Sequence, residues 1–125
     1  MLSVVIPAYN EEDCISKTII EFSKILGRNN INYEILVVND HSIDRTVEVI
    51  NKLKKKIRKL RYIDNDGSPG FGSAIVKGLK NFEGDYVTIA MADLSDDPEE
   101  LVMYFKKIKQ GYDCVFGSRF IPGGK

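Results

Sequence analysis

The sequence predicts an α/β fold with a doubly wound, mostly parallel sheet and helices on both of its faces. Short apolar runs alternate with longer amphipathic segments, in the order β-α-β-α-β-α-β-α-β. Parallel strands need long crossover connections, and helices of this length supply them. The 125 residues are expected to form one domain, 1–125, because single domains commonly contain about 100–150 residues.

Each strand is predicted where a short run of apolar, often β-branched residues ends at a turn. The five runs are residues 2–6, 33–38, 60–63, 86–91 and 113–117. Helices are predicted where apolar residues recur with helical spacing, over residues 12–26, 44–56, 73–82 and from Pro98 to the residue before Gly111. The tail, residues 121–125, is predicted to be a loop, and its abrupt end suggests a cut through a longer protein.

Polar and acidic residues follow the predicted strands at their carboxyl ends, where open parallel sheets bind ligands. Asp40 directly follows the second strand, Asp93 ends the fourth, and Arg119 follows the fifth. A carboxylate at Asp40 can accept hydrogen bonds from the N–H edge of uracil or guanine. A carboxylate at Asp93 can face a divalent cation, and the guanidinium of Arg119 can pair with phosphate. These three residues are therefore candidates for one binding site.

A structural interpretation stays open for each of these residues. Asp40 can simply form a turn, Asp93 can cap a turn or a helix, and Arg119 can form a surface ion pair. Asp44 and Asp97 fit helix N-caps. The glycine-rich segment 67–72 can serve only as a turn, or it can let the backbone approach a ligand near a helix N-terminus.

Composition and missing motifs exclude several other functions. Eighteen basic residues balance 18 acidic ones, and this argues against a nucleic-acid partner. The chain has neither the GxGxxG of a dinucleotide-binding unit nor a P-loop. A receiver-type signalling domain needs a lysine after the fifth strand, where this chain has Arg119. The two cysteines, Cys14 and Cys114, form no CxxC pair and are interpreted as buried thiols of a reducing cytoplasm.

Five ordered segments resemble the N-terminal, donor-binding half of inverting family 2 glycosyltransferases, and the dolichol-phosphate mannose synthase branch in particular. The segments are VVIPAYNEE (4–12), EILVVNDHSIDRT (34–46), GSPGFGSAIVKGL (67–79), MADLSDDPEEL (91–101) and FGSRFIPGG (116–124). The resemblance implies a Rossmann-like GT-A fold. It also implies transfer of a sugar from GDP-mannose or a UDP-sugar to an acceptor such as a polyprenyl or dolichyl phosphate.

The resemblance also implies residue roles at the matching positions. Asp40 would hold the base, Asp93 would be the metal-side carboxylate of the DxD motif, and Arg119 would lie beside the diphosphate. Asp93 and Arg119 are accordingly the catalytic candidates. The other donor-binding candidates are Pro7, Ala8, Tyr9, Glu11, Gly70, Gly72, Ala74 and Ala92.

Two departures from the family pattern qualify these roles. The usual Asp-x-Asp is Met91-Ala92-Asp93 here, and a thioether is a poor ligand for Mg²⁺ or Mn²⁺. Metal binding would then depend on Asp93, phosphate oxygens and water, with help from Asp96 or Asp97. The family's acceptor-side half is expected beyond the last matching segment and is not among these 125 residues. Together with Met91, this motivates the alternative function, a catalytically silent nucleotide-binding module.

A basic run is the last feature of note. Residues 52–61 contain seven lysines and arginines among ten positions. The run is interpreted as a solvated surface or as a contact for anionic lipid headgroups, which would suit a peripheral protein at the cytoplasmic membrane face.

Overall fold

The structure is a computed structural model of the chain, and it describes residues 1–109 together with the backbone of residues 121–122. The strands are β1 (Leu2–Ala8), β2 (Tyr33–Asn39), β3 (Leu60–Asp64), β4 (Tyr86–Ile89) and β5 (Ile121–Pro122). The helices are α1 (Ile15–Arg28), α2 (Thr46–Lys54), α3 (Phe71–Leu79) and α4 (Pro98–Lys109). The predicted order of the first eight elements is confirmed.

The sheet has the strand order β3-β2-β1-β4-β5, and the first four strands are parallel. The predicted doubly wound, mostly parallel sheet is therefore confirmed. β5 pairs antiparallel with β4, with Ile121 opposite Val87 and Pro122 opposite Tyr86. The prediction of a loop at these two residues was wrong, since a proline without an N–H is tolerated in an edge strand. The strand predicted at 113–117 lies outside the described residues.

Both faces of the central strands are covered, which explains their continuous apolar character. All residues of β1 and β2 are buried. The side chains of α1, α2 and α4 pack in one core with Val4 and Ile35, while α3 packs on the other face against Val5 and Leu36. α3 lies close to β1 because Gly78 has no side chain, and a Cβ there would overlap the Val5 side chain.

Helix boundaries differ from the predicted ones by a few residues. α1 begins at Ile15 rather than residue 12, because residues 11–14 form a turn in which the Cys14 amide donates to the Glu11 carbonyl, 3.1 Å away. α3 begins at Phe71, two residues before the predicted start. In the part of the chain that the structure describes, none of the helices has the length and hydropathy needed to cross a bilayer.

Candidate functional site

A pocket of about 510 Å³ opens at the carboxyl edge of the sheet, beside the ends of β1, β2 and β4. β1 lies between β2 and β4, since the chain continues from β1 to β2 and β3 on one side and then crosses over to β4 on the other. Ligands of open α/β sheets bind where the strand order reverses in this way. Eight predicted residues line the pocket: Pro7, Ala8, Tyr9, Glu11, Asp40, Gly70, Ala92 and Asp93.

Asp40 lies on the floor of this pocket and is only 7% exposed. Its backbone amide continues the β1–β2 pairing by donating to the Ala8 carbonyl, 2.8 Å away. Its carboxylate accepts one hydrogen bond on each oxygen, from the Asn65 amide group and from the Gly70 backbone N–H, both at 3.0 Å. Because a carboxylate offers about four acceptor positions, it can still accept N–H groups of a ligand.

The segment before α3 forms one wall of the pocket. Gly70 has φ 141° and ψ 152°, a conformation essentially restricted to glycine. This conformation turns its N–H toward Asp40 and starts α3 at Phe71, which also lines the pocket. The positive end of the α3 dipole therefore faces the pocket, where it favours negatively charged groups.

The opposite wall is held by hydrogen bonds between the loops that follow β1 and β2. The Asn10 amide donates to Ser42 Oγ at 3.0 Å, and the Glu11 amide donates to Thr46 Oγ1 at 2.8 Å. In the other direction, the Ile43 amide donates to Asn10 Oδ1 at 2.9 Å. These contacts fix the start of α1 and α2 against each other, so the Tyr9–Glu11 segment has a defined position over the pocket.

The side chains of Asp44 and Asp97 also organise this edge. Asp97 directly precedes α4 and caps it as predicted, whereas the N-cap position of α2 is Arg45 rather than the predicted Asp44. The Asp44 carboxylate accepts the Thr46 amide at 2.9 Å, and the Asp97 carboxylate accepts the Glu99 amide at 3.0 Å. Asp96 accepts the Met91 amide at 2.9 Å and does not line the pocket. Asp96 and Asp97 thus hold the loop after β4 rather than extend the site.

Three acidic side chains, Glu11, Asp40 and Asp93, give the pocket a negative potential. Partial burial, the charge of Asp93 and the charge of Asp44 together raise the pKa of Glu11. Asp93 is exposed, and its carboxylate accepts the Ser95 amide at 3.1 Å. Carboxylates that repel one another attract a divalent cation, which prefers oxygen ligands. Residues 1–109 nevertheless contain no cluster of three metal-ligating side chains.

Two of the described residues named for the site are not brought into the pocket. Ala74, a residue of α3, is fully buried between α3 and the sheet, because helical periodicity places it with Gly78 on the face toward the sheet. Gly72 is exposed in the first turn of α3. Arg119 lies outside the described residues. The donor-binding candidates Gly72 and Ala74 therefore do not line this pocket.

Sequence reasoning also missed residues that the structure places at the pocket. Pro69, Phe71 and Met91 line it. Phe71 was visible between two glycines of the loop, and an exposed aromatic residue in a glycine-rich segment is a usable signal. Asn65 lies beneath this loop, and nothing in its sequence context distinguished it.

Known proteins were compared with the chain in sequence and structure. Residues 3–125 match the family model described as "Glycosyl transferase family 2". A dolichol-phosphate mannosyltransferase of Pyrococcus furiosus is 36% identical over 124 residues, which cover 99% of this chain and 34% of that protein. An uncharacterized glycosyltransferase of Bacillus subtilis is 33% identical, over 94% of this chain and 36% of that protein. The chain thus spans about a third of the length of these relatives.

Solved structures give the same fold. A mannosyltransferase of Pyrobaculum calidifontis, solved with GDP-Man and Mn²⁺, superposes with a TM-score of 0.71 at 23% identity, over 84% of this chain and 31% of that one. The S. aureus protein TarS, residues 1–349, solved with UDP-GlcNAc, superposes with a TM-score of 0.67 at 27% identity, over 87% of this chain and 31% of that one.

Proposed function

The chain belongs to glycosyl transferase family 2, and from that premise we propose that its pocket binds a nucleoside-diphosphate sugar for transfer with inversion at the anomeric carbon. One observation carries the proposal: the buried Asp40 and the exposed Asp93 border the same pocket. The first can bind a nucleobase, and the second can bind the cation that accompanies a diphosphate. The alternative, a catalytically silent nucleotide-binding module, shares the binding step and lacks the transfer.

The nucleobase is proposed to lie over Asp40. The free acceptor positions of this carboxylate suit the single N–H of uracil or the adjacent N–H groups of guanine. Tyr9 and Phe71 are 57% and 49% exposed although they line the pocket, and large aromatic rings are usually less accessible. Their rings can cover the faces of a base, since stacking is favourable for any base.

A divalent cation is proposed to neutralise the diphosphate. The residues fit such an ion, because Glu11 and Asp93 repel each other and supply oxygen donors. We propose that Asp93 holds Mg²⁺ or Mn²⁺ together with phosphate oxygens, while the Met91 thioether contributes no ligand. When bound, the ion stabilises the charge that develops on the leaving diphosphate, and Arg119 is proposed to assist it.

The identity of donor and acceptor is a finer proposal. Similarity to a dolichol-phosphate mannosyltransferase supports GDP-mannose as donor and a polyprenyl phosphate as acceptor, with a UDP-sugar as the other donor. A phosphate acceptor is already anionic at neutral pH and needs little help from a base. Residues 1–125 are proposed to be the donor-binding half of a cytoplasmic enzyme that lies peripherally at the membrane.

Calorimetric titration with GDP, UDP and their sugars, with and without Mg²⁺ or Mn²⁺, tests the proposal. We expect a nucleoside diphosphate to bind, and to bind at least about tenfold more tightly with the cation, which corresponds to about 1.4 kcal/mol. Absence of binding by every nucleotide under both conditions would contradict the proposal. Hydrolysis or transfer of the bound sugar by a chain that includes the acceptor-side half distinguishes an enzyme from a silent module.

A further inference from the structure

Asn65 lies at the centre of the hydrogen bonds that surround Asp40. Its side chain is 4% exposed, and its backbone N–H donates to the Asn39 carbonyl at 2.8 Å, which continues the pairing of β2 with β3. Its side-chain NH₂ donates to Asp40 Oδ1 at 3.0 Å and to the Ser68 carbonyl at 3.1 Å. Its side-chain oxygen accepts the Gly67 amide at 3.2 Å.

The two groups that donate hydrogen bonds to the Asp40 carboxylate both depend on this asparagine. One is the Asn65 NH₂ group itself. The other is the Gly70 amide, which belongs to the loop that Asn65 binds through Gly67 and Ser68. A buried carboxylate with one fixed donor on each oxygen has a fixed plane, so its remaining lone pairs point in fixed directions.

We infer that Asn65 is a positioning residue for nucleobase recognition: it sets the orientation in which Asp40 presents its free lone pairs to the base. The inference rests on the proposed function and extends it to a residue that does not line the pocket. Asn65 supplies a neutral donor where an acidic residue would repel Asp40. It therefore leaves the negative charge of Asp40 available for the ligand.

The variant Asn65→Asp tests this role through its chemistry. Two carboxylates about 3 Å apart do not both ionise readily, so the pair retains one proton in mildly acidic solution. With that proton, the hydroxyl of residue 65 can donate to Asp40 as the amide does, and the pair carries the single negative charge of the wild type. Without it, the two carboxylates repel each other and Asp40 turns away from its position.

Other titratable groups face the same region and require a control. His41, from the loop after β2, lies with its Nε2 3.9 Å from Asp40, and Glu11 and Asp93 line the pocket from the loops after β1 and β4. These groups are the same in the wild type and in the variant. The informative quantity is therefore the ratio of the two affinities at each pH.

Calorimetry with GDP or UDP, at pH values from 5.5 to 8.5 and with saturating Mg²⁺, measures the effect, and pyrophosphate serves as a probe without a base. We expect Asn65→Asp to bind the nucleotide about tenfold more weakly at high pH, as for one hydrogen bond to a charged group. The deficit should shrink toward low pH, while the affinity for pyrophosphate stays that of the wild type.

Asn39→Ala is the matched control for loss of a buried asparagine at this edge. Asn39 is 7% exposed, and its side chain donates to Asp64 at 2.9 Å and accepts the Ser42 amide at 3.2 Å, while the Asp40 carboxylate is bound by Asn65 and Gly70 instead. We expect it to lower the melting temperature without a pH-dependent loss of nucleotide affinity. Asn65→Ala should weaken nucleotide binding at every pH.

The outcomes separate the two proposals. If the wild type binds no nucleotide, the proposed function and this inference both fail. If the wild type binds but Asn65→Asp equals it at pH 8.5, or loses pyrophosphate and nucleotide affinity equally, the positioning role is wrong and the proposed function stands. A pH-independent deficit in Asn65→Asp, or a pH-dependent one in Asn39→Ala, would also overturn the role of Asn65.

Discussion

The two ends of β2 carry buried carboxylates with opposite surroundings. Glu34, the second residue of the strand, is 4% exposed, and Asp40, directly after the strand, is 7% exposed. Glu34 accepts hydrogen bonds at 2.6 Å from Ser3 Oγ, the Glu83 amide and the Arg61 guanidinium. Asp40 accepts only neutral donors and faces a pocket.

The difference shows how a buried acid becomes structural or functional. Burial alone would raise the pKa of Glu34, but the donors around it, including the Arg61 charge, lower the pKa below its ordinary value. Its partners therefore neutralise and enclose it, and they tie the loop before β4 to β1. Asp40 is held by hydrogen bonds from neutral groups, which fix its position without neutralising its charge, and His41 Nε2 lies farther away at 3.9 Å. An oriented carboxylate whose hydrogen-bond donors are neutral is suited to bind a ligand.

The largest expected effects come from removing each of the two carboxylates in turn, since one should reduce nucleotide affinity and the other should reduce stability. Asp40→Ala should weaken nucleoside-diphosphate binding about 100-fold, as for hydrogen bonds to a charged group worth up to about 3 kcal/mol. Glu34→Gln should lower the free energy of unfolding by about 2–3 kcal/mol, because it leaves Arg61 without its buried partner. Calorimetry and urea denaturation of both variants measure the two quantities.

Only one of these two variants should change nucleotide affinity. Folded Glu34→Gln should bind nucleotides with the wild-type affinity, since Glu34 lies at the end of β2 away from the pocket. Wild-type nucleotide affinity in Asp40→Ala would refute the assigned role of Asp40. A loss of affinity in Glu34→Gln at temperatures where it is folded would show that the two ends of the strand are coupled.

Substitution of two glycines, one near each end of β2, should give a smaller effect that separates the structural end from the ligand-binding end. Gly84→Ala places a Cβ that overlaps the Met1 carbonyl and lies 2.6 Å from Ser3 Oγ, so the backbone must shift, at about 1–3 kcal/mol. Gly70→Ala imposes a comparable cost of about 1–3 kcal/mol because φ is 141°. Melting temperatures should fall in both variants, and nucleotide affinity should fall only in Gly70→Ala, whose amide contacts Asp40. Equal affinities in the two variants would contradict this division.

The sequence predicts the order of α1 to α4 and β1 to β4, because strands buried on both faces are continuous apolar runs and helices show helical spacing. It also singles out Asp40 and Asp93, since both follow strands. It does not predict Asn65, whose partner Asp40 is 25 residues away and is reached only through the pairing of β2 with β3. The position of Ala74 was missed for another reason. Ala74 lies four residues before Gly78, so helical periodicity places both on the face of α3 that packs on the sheet.

Acid should affect the two edges with opposite signs. The pKa of Glu34 is lowered from 4.5, so its contribution to stability is complete above that pH and is lost as pH falls through the folded value. The pKa of Glu11 is raised from 4.5 by burial and by the charge of Asp93. Ionisation of Glu11 therefore destabilises the fold as pH rises through the folded value. Between pH 3 and 7, Glu34→Gln should flatten the loss of stability in acid, and Glu11→Gln should stabilise the protein slightly at pH 7. If the free energy of unfolding at pH 7 were higher in Glu34→Gln than in Glu11→Gln, this description of the two edges would be wrong.

The basic run gives the smallest expected effect on the pocket. Lys54, Lys55 and Lys56 are exposed where α2 ends. They lie near the edge of the sheet at which β3 begins, opposite the edge that carries the pocket. A seven-residue strand separates the two edges by about 23 Å, more than two Debye lengths of about 8 Å at physiological salt. The triple change of these lysines to glutamine should therefore leave nucleotide affinity within about twofold of the wild type.

The same triple variant tests the lipid contact that the sequence suggests for this run. Two of its cations are already engaged, since Arg61 binds Glu34 and Lys59 lies 4.6 Å from the centre of the Tyr33 ring. The remaining cations can contact anionic headgroups, at about 1 kcal/mol per lysine near the surface. Cosedimentation with phosphatidylserine vesicles should fall in the triple variant and persist in Lys80→Gln, an exposed lysine just after α3. Unchanged cosedimentation would identify the run as a solvated surface. A membrane bound through this edge would leave the pocket at the opposite edge of the sheet, about one strand length away. A lipid phosphate would then have to reach the pocket by another route.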